Sequence, residues 1–298
     1  MSIIFGPINS RRFGRSLGVD LSPNKKQCNF DCLYCELQAA KPVIKYEEVV
    51  PLNEVKKAIN HALQKYAPID YLTITANGEP TLYPYLKELI LYIKSIQKDF
   101  KTLILSNAST IDKKEVQEAL TLFDEVKLSL DCATQKCFKK LDRAKDSDIE
   151  TIKKGMLEFA KKYQGKLIIE ILLVEGMNDK IDEIKALNSF LKELKPHLIT
   201  LGTVDRPPAY SVKALSYEKI IKLKSLFDQC LPIIIPQKRK KKQQKFAYTK
   251  EEILQTIARR PLSTEDIALL FNESSKRFLQ ELVDEKKVKL FGNFYKLL

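Results

Sequence analysis

The sequence predicts an α/β fold, a partial (β/α)6 TIM-type barrel followed by a small winged-helix-like domain. Three observations predict it. Short apolar, β-branched runs recur at intervals of roughly 25–40 residues. The segments between most of them carry helical periodicity. The last stretch abandons that alternation and reads as three short helices and a hairpin.

The apolar runs are residues 16–21, 71–76, 102–106, 126–130, 167–174 and 199–204. Between them, Val55, Ile59, Leu63 and Tyr66 fall on one stripe of 52–66, and Leu86, Leu89, Ile90 and Ile93 on one stripe of 85–96. Residues 149–163, 181–194 and 217–230 complete the set, and the last of these places Cys230 on an apolar stripe, hence in the core. Strands that alternate with helices imply a parallel sheet with right-handed crossovers, and about six units suit a barrel or partial barrel better than an open sheet. After the barrel, 1–235, comes a basic linker, 236–246, and then the domain at 247–298. In that domain helices are expected over 250–260, 264–271 and 274–284, and a hairpin over 288–297 around Gly292-Asn293. This is helix-turn-helix architecture, but the would-be recognition helix at 273–286 has three basic and four acidic residues, whereas a groove-reading helix is normally basic. Packing on the barrel, or recognition of a protein or RNA, is expected instead.

Polar clusters stand at the C-terminal ends of the strands, where βα-barrels place their sites. They are Asn77-Gly78-Glu79-Pro80, Asn107-Ala108-Ser109, Ser129-Leu130-Asp131, Glu175 to Asp179, and Asp205-Arg206-Pro207-Pro208. The first strand feeds Cys28-Asn29-Phe30-Asp31-Cys32-Leu33-Tyr34-Cys35 at the same end. Thiolates at these spacings can hold three irons of a [4Fe–4S] cluster and leave the fourth open to a ligand. A structural zinc site would need a fourth ligand, and the two histidines, His61 and His197, are both distant in sequence. Cys132 and Cys137 offer a second ligand pair or a thiol role, and Arg11, Arg12 and Arg15 an anchor for an anionic substrate.

Composition excludes other classes. Apolar residues make up 44% of 298, and no apolar run approaches the ~18 residues of a membrane span. The start lacks a signal-peptide pattern, so a cytoplasmic protein with free thiols and no membrane partner is expected. Of the net charge of +13, six charges lie in residues 238–245, a solvated linker or a contact for an anionic partner such as RNA.

The cysteine motif joined to repeated βα units resembles the radical S-adenosylmethionine (SAM) enzymes. Residues 6–20, Ser129-Leu130-Asp131, Leu141-Asp142-Arg143 and residues 203–208 further resemble a subgroup of Fe–S oxidoreductases related to the tRNA wyosine synthases. The resemblance covers about residues 1–235. It implies that Cys28, Cys32 and Cys35 hold a [4Fe–4S] cluster and that SAM chelates the open iron. Reductive cleavage of SAM would then give a 5′-deoxyadenosyl radical that abstracts hydrogen from an unidentified substrate. The electron would come from a donor such as a flavodoxin or ferredoxin. SAM contacts are implied for Gly78 and Glu79 at the ammonium, Tyr34 near the adenine, and Asn107, Ser129 and Asp131 at the ribose or carboxylate. Arg143 is implied at the carboxylate, and Asn178 and Val204 at the adenine side. Asn77 replaces the family's usual glycine. Two alternatives stay open. One is tRNA base modification of the wyosine-synthase type, although those enzymes carry extra N-terminal cysteines and Cys28 is the first here. The other is an iron–sulfur redox-sensing regulator.

Overall fold

The structure, a computed structural model, describes residues 2–10, 13–236, 245, 247–259 and 261–298. Arg11, Arg12 and nearly all of the basic linker lie outside the described residues. Six strands form the expected parallel sheet: β2 (Gly14–Asp20), β3 (Tyr71–Thr75), β4 (Lys101–Ser106), β5 (Glu125–Ser129), β6 (Lys166–Leu173) and β7 (Leu198–Thr203). Two more strands stand at its edges. β1 (Ile4–Ser10) pairs antiparallel with β2, and β8 (Ile233–Ile234) pairs parallel with β7. The sheet order runs β1 to β8 without permutation. The strands form where apolar side chains accumulate, and Leu72, Ile74, Ile104, Leu128, Ile169, Ile171, Ile199 and Leu201 are all buried.

The crossovers are α1 (Leu52–Tyr66), α2 (Leu86–Ile96), α3 (Lys114–Leu120), α4 (Gln135–Leu141), α5 (Ile149–Lys162), α6 (Ile181–Leu194) and α7 (Tyr217–Lys224). Val55 and Ile59 of α1 and Leu86, Leu89, Ile90 and Ile93 of α2 are buried, as the stripes require. Starts are set by side-chain caps: Thr134 accepts the Cys137 N–H, Asp148 that of Thr151, and Ser216 that of Lys219. The last helix corrects one expectation. It stops at Lys224, where Ser225 caps it, so Cys230 lies beyond the helix on an irregular segment and is exposed, not in the core.

After residue 245 a second apolar core forms from Ile253, Ile257, Leu262, Leu270, Phe271, Leu279, Leu282 and Val288. Its elements are α8 (Lys250–Arg259), β9 (Leu262–Ser263), α9 (Thr264–Leu270), α10 (Glu273–Asp284), β10 (Val288–Phe291) and β11 (Phe294–Leu297). β10 and β11 make the expected hairpin, turning at Gly292 with φ +57°, and β9 adds a third strand. Ser263 and Asp266 form a capping box at the start of α9. Among the described residues, no helix is long and apolar enough to cross a membrane.

Candidate active site

Beyond the end of β2 the chain leaves the sheet as an irregular loop carrying the three cysteines, and backbone hydrogen bonds hold that loop on several sides. Toward β3, the Gln27 N–H donates to the Asn77 carbonyl at 2.9 Å and the Glu79 N–H to the Gln27 carbonyl at 3.0 Å. Gly78 sits between these bonds at φ +136°, and a Cβ on it would lie 1.8 Å from the Gln27 oxygen. On another side, the Asp31 and Leu33 N–H groups donate to the carbonyls of Asp142 and Leu141 at 3.1 and 3.0 Å, just where α4 ends. The Ala209 N–H closes a further contact on the Cys35 carbonyl at 2.7 Å. The buried Gln27 amide ties down the rest: its oxygen accepts the Glu47 and Glu48 N–H groups, and its nitrogen donates to Ser22 Oγ and the Glu48 carbonyl. All four of its bonding positions are satisfied, which makes the loop rigid.

The three thiols are partly accessible, and polar groups point at the sulfurs. The Phe30 N–H donates to Cys28 Sγ at 3.4 Å and the Asn107 amide to the same atom at 3.5 Å, while Lys26 Nζ stands 3.4 Å from Cys35 Sγ. Burial pushes the Cys28 thiol up to about 12, with the Glu79 carboxylate adding to it. Cys32 is raised as well, by burial first and then by Asp142. A cation bound at these sulfurs would favour their thiolate forms. The three sulfurs are not all within 4.8 Å of one another; among the described residues only Cys132, Cys137 and Glu183 gather that closely. The donor set, its spacing and the N–H groups aimed at sulfur fit a [4Fe–4S] cluster.

Beside the loop lies a small, partly open cleft, lined on its polar side by Tyr34, Asn107, Ser129, Asp131 and Asp142. Phe30, Leu130, Phe138, Ile149 and Ile152 form its apolar side. Four residues expected at the ligand from sequence, Tyr34, Asn107, Ser129 and Asp131, thus share one cavity. The Tyr34 hydroxyl donates to Asp131 Oδ2, and the Leu172 N–H donates to Asp131 Oδ1 at 2.5 Å. Burial pushes the Asp131 carboxyl up to about 7, against these bonds. It raises Asp142 as well, with Asp131 adding to it.

Glu79 is buried behind this wall. Its Oε1 accepts the Thr81 N–H, the Thr81 hydroxyl and the Ser106 hydroxyl, and its Oε2 accepts the Asn107 N–H at 2.7 Å. Burial raises its pKa while these donors lower it. Its carboxylate thereby fixes the end of β4 and Asn107 in the cleft. Asn178 is completely buried, and its amide bonds the carbonyls of Asp131 and Leu172 and the Val174 N–H. That side chain is fully engaged with backbone, so it shapes the wall behind Asp131. Arg143 pairs with Asp31 at 3.1 Å and lies over the Tyr210 ring at 4.8 Å, while Tyr210 donates to Asp31 at 2.8 Å. Val204 follows β7 and packs against the barrel core. Cys132 and Cys137 are bonded to each other as a disulfide, with Glu183 accepting the adjacent Ala133 and Thr134 N–H groups, so neither is a free ligand for a second cluster. Sequence reasoning missed Gln27, Asp31 and Tyr210. Only Asp31 carried a signal, as a carboxylate inside the cysteine motif.

Three thiols on a loop at the C-terminal mouth of a parallel βα sheet, beside a cleft with converging polar groups, are the arrangement of an iron–sulfur enzyme. The comparisons agree: a family model described as the radical SAM superfamily matches residues 26–187, over half of the chain. The chain belongs to the radical SAM superfamily and, within it, to the UPF0026 family, being 44% identical over 290 residues to a UPF0026 protein of Helicobacter pylori, across 97% of this chain and 94% of that one. Its fold resembles a structure described as TYW1 with a lysine–pyruvate adduct bound (TM-score 0.53, 22% identity, 71% of this chain and 72% of that one). It also resembles Streptococcus suis SuiB bound to S-adenosylmethionine (TM-score 0.51, 19% identity, 70% of this chain and 44% of that one). As a member of the radical SAM superfamily it is an enzyme whose cofactors are a [4Fe–4S] cluster and SAM.

Proposed function

We propose that Cys28, Cys32 and Cys35 hold the cluster and that SAM occupies the adjoining cleft, where the enzyme abstracts hydrogen from a substrate not yet identified. The carrying observation is the single cavity shared by Tyr34, Asn107, Ser129 and Asp131 immediately beside the three-cysteine loop. When bound, the cluster and SAM together supply one-electron cleavage of the sulfonium to a 5′-deoxyadenosyl radical. This chain's residues bind, orient and exclude water. Asn77 and Gly78 bring bare backbone to the edge of the cysteine loop, where a ligand's ammonium can meet carbonyl oxygens. Tyr34 offers a flat wall to an adenine, and its hydroxyl keeps Asp131 oriented. Asn107, held through its N–H by Glu79, presents its amide to the loop, and Ser129 and Asp131 present oxygens to ribose hydroxyls. Phe30 and Phe138, in edge contact at 5.3 Å between ring centres, keep water from the apolar side. The electron donor is proposed to be a small one-electron carrier of the flavodoxin or ferredoxin kind, and the 247–298 unit is read as winged-helix-like.

Anaerobically reconstituted protein given dithionite and SAM is expected to release 5′-deoxyadenosine. Cluster-loaded protein that neither binds nor cleaves SAM would overturn the proposal. A narrower reading, radical modification of a tRNA base, is favoured by the basic run at 238–245. It predicts tRNA binding that weakens by roughly 10³ between 50 and 200 mM salt, as expected for about six phosphate contacts. Binding that is absent or insensitive to salt would reject it, and the iron–sulfur regulator reading requires DNA binding that changes with cluster oxidation.

A further inference from the structure

The C-terminal unit touches the barrel along α8, whose ten residues span about 15 Å beside β1. Its two ends meet opposite ends of the barrel. At the start of α8, Glu252 accepts from the Tyr66 hydroxyl and from Lys65 Nζ at 2.9 Å, both at the end of α1 and remote from the cysteines. At its finish Arg259 reaches the C-terminal end of β2. There its Nε donates to Asp20 Oδ2 at 3.0 Å, its Nη2 donates to the Ser2 carbonyl, and its guanidinium lies over the Phe5 ring at 5.1 Å. Both side chains are deeply buried, 9% exposed for Arg259 and 2% for Asp20.

The other oxygen of Asp20 faces the site. Asp20 Oδ1 accepts the Asn77 N–H at 2.8 Å and the Ser22 N–H at 2.9 Å. Asn77 in turn accepts the Gln27 N–H, one residue before Cys28. Three hydrogen bonds through four residues, Arg259, Asp20, Asn77 and Gln27, therefore join the C-terminal unit to the cysteine loop. A second tie lies at the same mouth. Arg206 pairs through Nε with Glu36, the residue after Cys35, at 3.0 Å, and its Nη1 donates to the Pro261 carbonyl at 2.7 Å. A unit that served only as an appended recognition module would have no need to place a buried guanidinium behind the Asn77-Gly78-Glu79 turn.

We propose that Arg259 is a positioning residue of the catalytic site: by holding Asp20 it holds the Asn77-Gly78 backbone in place for SAM, so the C-terminal unit completes the barrel's site in cis. This rests on the reading of the cleft as the SAM site. Without the guanidinium, the Asp20 carboxylate is left buried and unpaired, and it turns toward water, taking the Asn77 N–H with it.

The test uses full-length, anaerobically reconstituted protein and compares wild type with Arg259→Ala, Arg259→Lys and Glu252→Ala. It measures iron content, melting temperature, SAM affinity and the change in the reduced cluster's electron paramagnetic resonance spectrum on adding SAM. Arg259→Ala is expected to weaken SAM binding by about tenfold or more and to diminish the spectral change. Arg259→Lys keeps the charge without the fork and is expected to recover part of both. Glu252→Ala loosens the same interface at its far end and is expected to lower the melting temperature while leaving SAM affinity within about twofold. The proposal is overturned if Arg259→Ala binds SAM as wild type does, or if Arg259→Ala and Glu252→Ala weaken it equally. Should Arg259→Ala fail to fold, Arg259→Lys decides alone, with wild-type affinity overturning the proposal and weakened affinity at an unchanged melting temperature supporting it. Wild-type protein that does not bind SAM counts against the SAM site itself and not against the relay.

Discussion

Replacing Cys32 by alanine is expected to reduce iron after anaerobic reconstitution from about four per chain to a small residue, and with it the release of 5′-deoxyadenosine. The loop offers three thiols, and each is expected to anchor one iron, so losing one leaves two attachment points for a cluster that must also keep an iron open for its ligand. The fold is expected to survive. Cys32 lies outside every strand and helix, and the loop's hold on the barrel runs through backbone groups of Gln27, Asp31 and Leu33 and the Gln27 amide, none of which the substitution removes. Removing a half-buried thiol from such a position costs on the order of 1 kcal/mol, too little to unfold a barrel of this size. Cys230→Ala, at an exposed position with no part in the loop, is the control and is expected to retain full iron. Two measurements decide it: iron and sulfide per chain, and the far-ultraviolet circular dichroism melt. Global unfolding of the Cys32 variant would mean that the metal is structural, and undiminished iron would mean that the ligands lie elsewhere.

The barrel was legible because its strands are largely buried, so most appear as predominantly apolar runs such as Leu167 to Leu173, interrupted only by Glu170. β1 was not, since Gly6-Pro7 reads as a turn, and only an edge position lets a strand tolerate that proline. α3 and α4, seven residues each, are too short for a stripe to declare itself. Cys230 was misplaced because periodicity gave no stop signal at Lys224. In the site, the cysteine motif is local and could be read directly. Asn107, Ser129 and Asp131 could be placed together at the mouth because each stands at or just beyond the end of a parallel strand, and the structure brings them to one cleft. Asn178 met the same criterion but serves as a bracket for backbone groups, a distinction that depends on which carbonyls stand nearby. Contacts such as Asp20 with Arg259, separated by 239 positions, exist only once the chain has folded.

The Asn77-Gly78-Glu79 turn has a close backbone neighbour in Gln27. Gly78 lies against the residue preceding Cys28, and an alanine there would place its Cβ 1.8 Å from the Gln27 carbonyl oxygen and 2.3 Å from its carbon. Both obstructing atoms are backbone, so no rotamer change relieves the clash. The Gln27 peptide must move, which breaks the Gln27–Asn77 and Glu79–Gln27 hydrogen bonds, worth about 1 kcal/mol each. The φ of +136° adds a strain of about 1–3 kcal/mol for any residue with a Cβ. Gly78→Ala is therefore expected to destabilise the protein by about 3–5 kcal/mol, or to shift the cysteine loop away from β3 at a similar cost. At roughly 2–4 °C per kcal/mol, the first outcome lowers the melting temperature by about 10 °C. The second leaves the melt nearer wild type while cluster retention and SAM affinity fall together. Two other glycines calibrate the effect. Gly202 has no atom within 4 Å of a Cβ and an ordinary φ, so Gly202→Ala is expected to be silent. Gly176 is equally open but holds φ +73°, so Gly176→Ala is expected to show backbone strain alone, about 1 kcal/mol, with wild-type iron. A Gly78→Ala variant that resembled Gly176→Ala in both stability and iron content would show that the contact with Gln27 does not hold the cysteine loop.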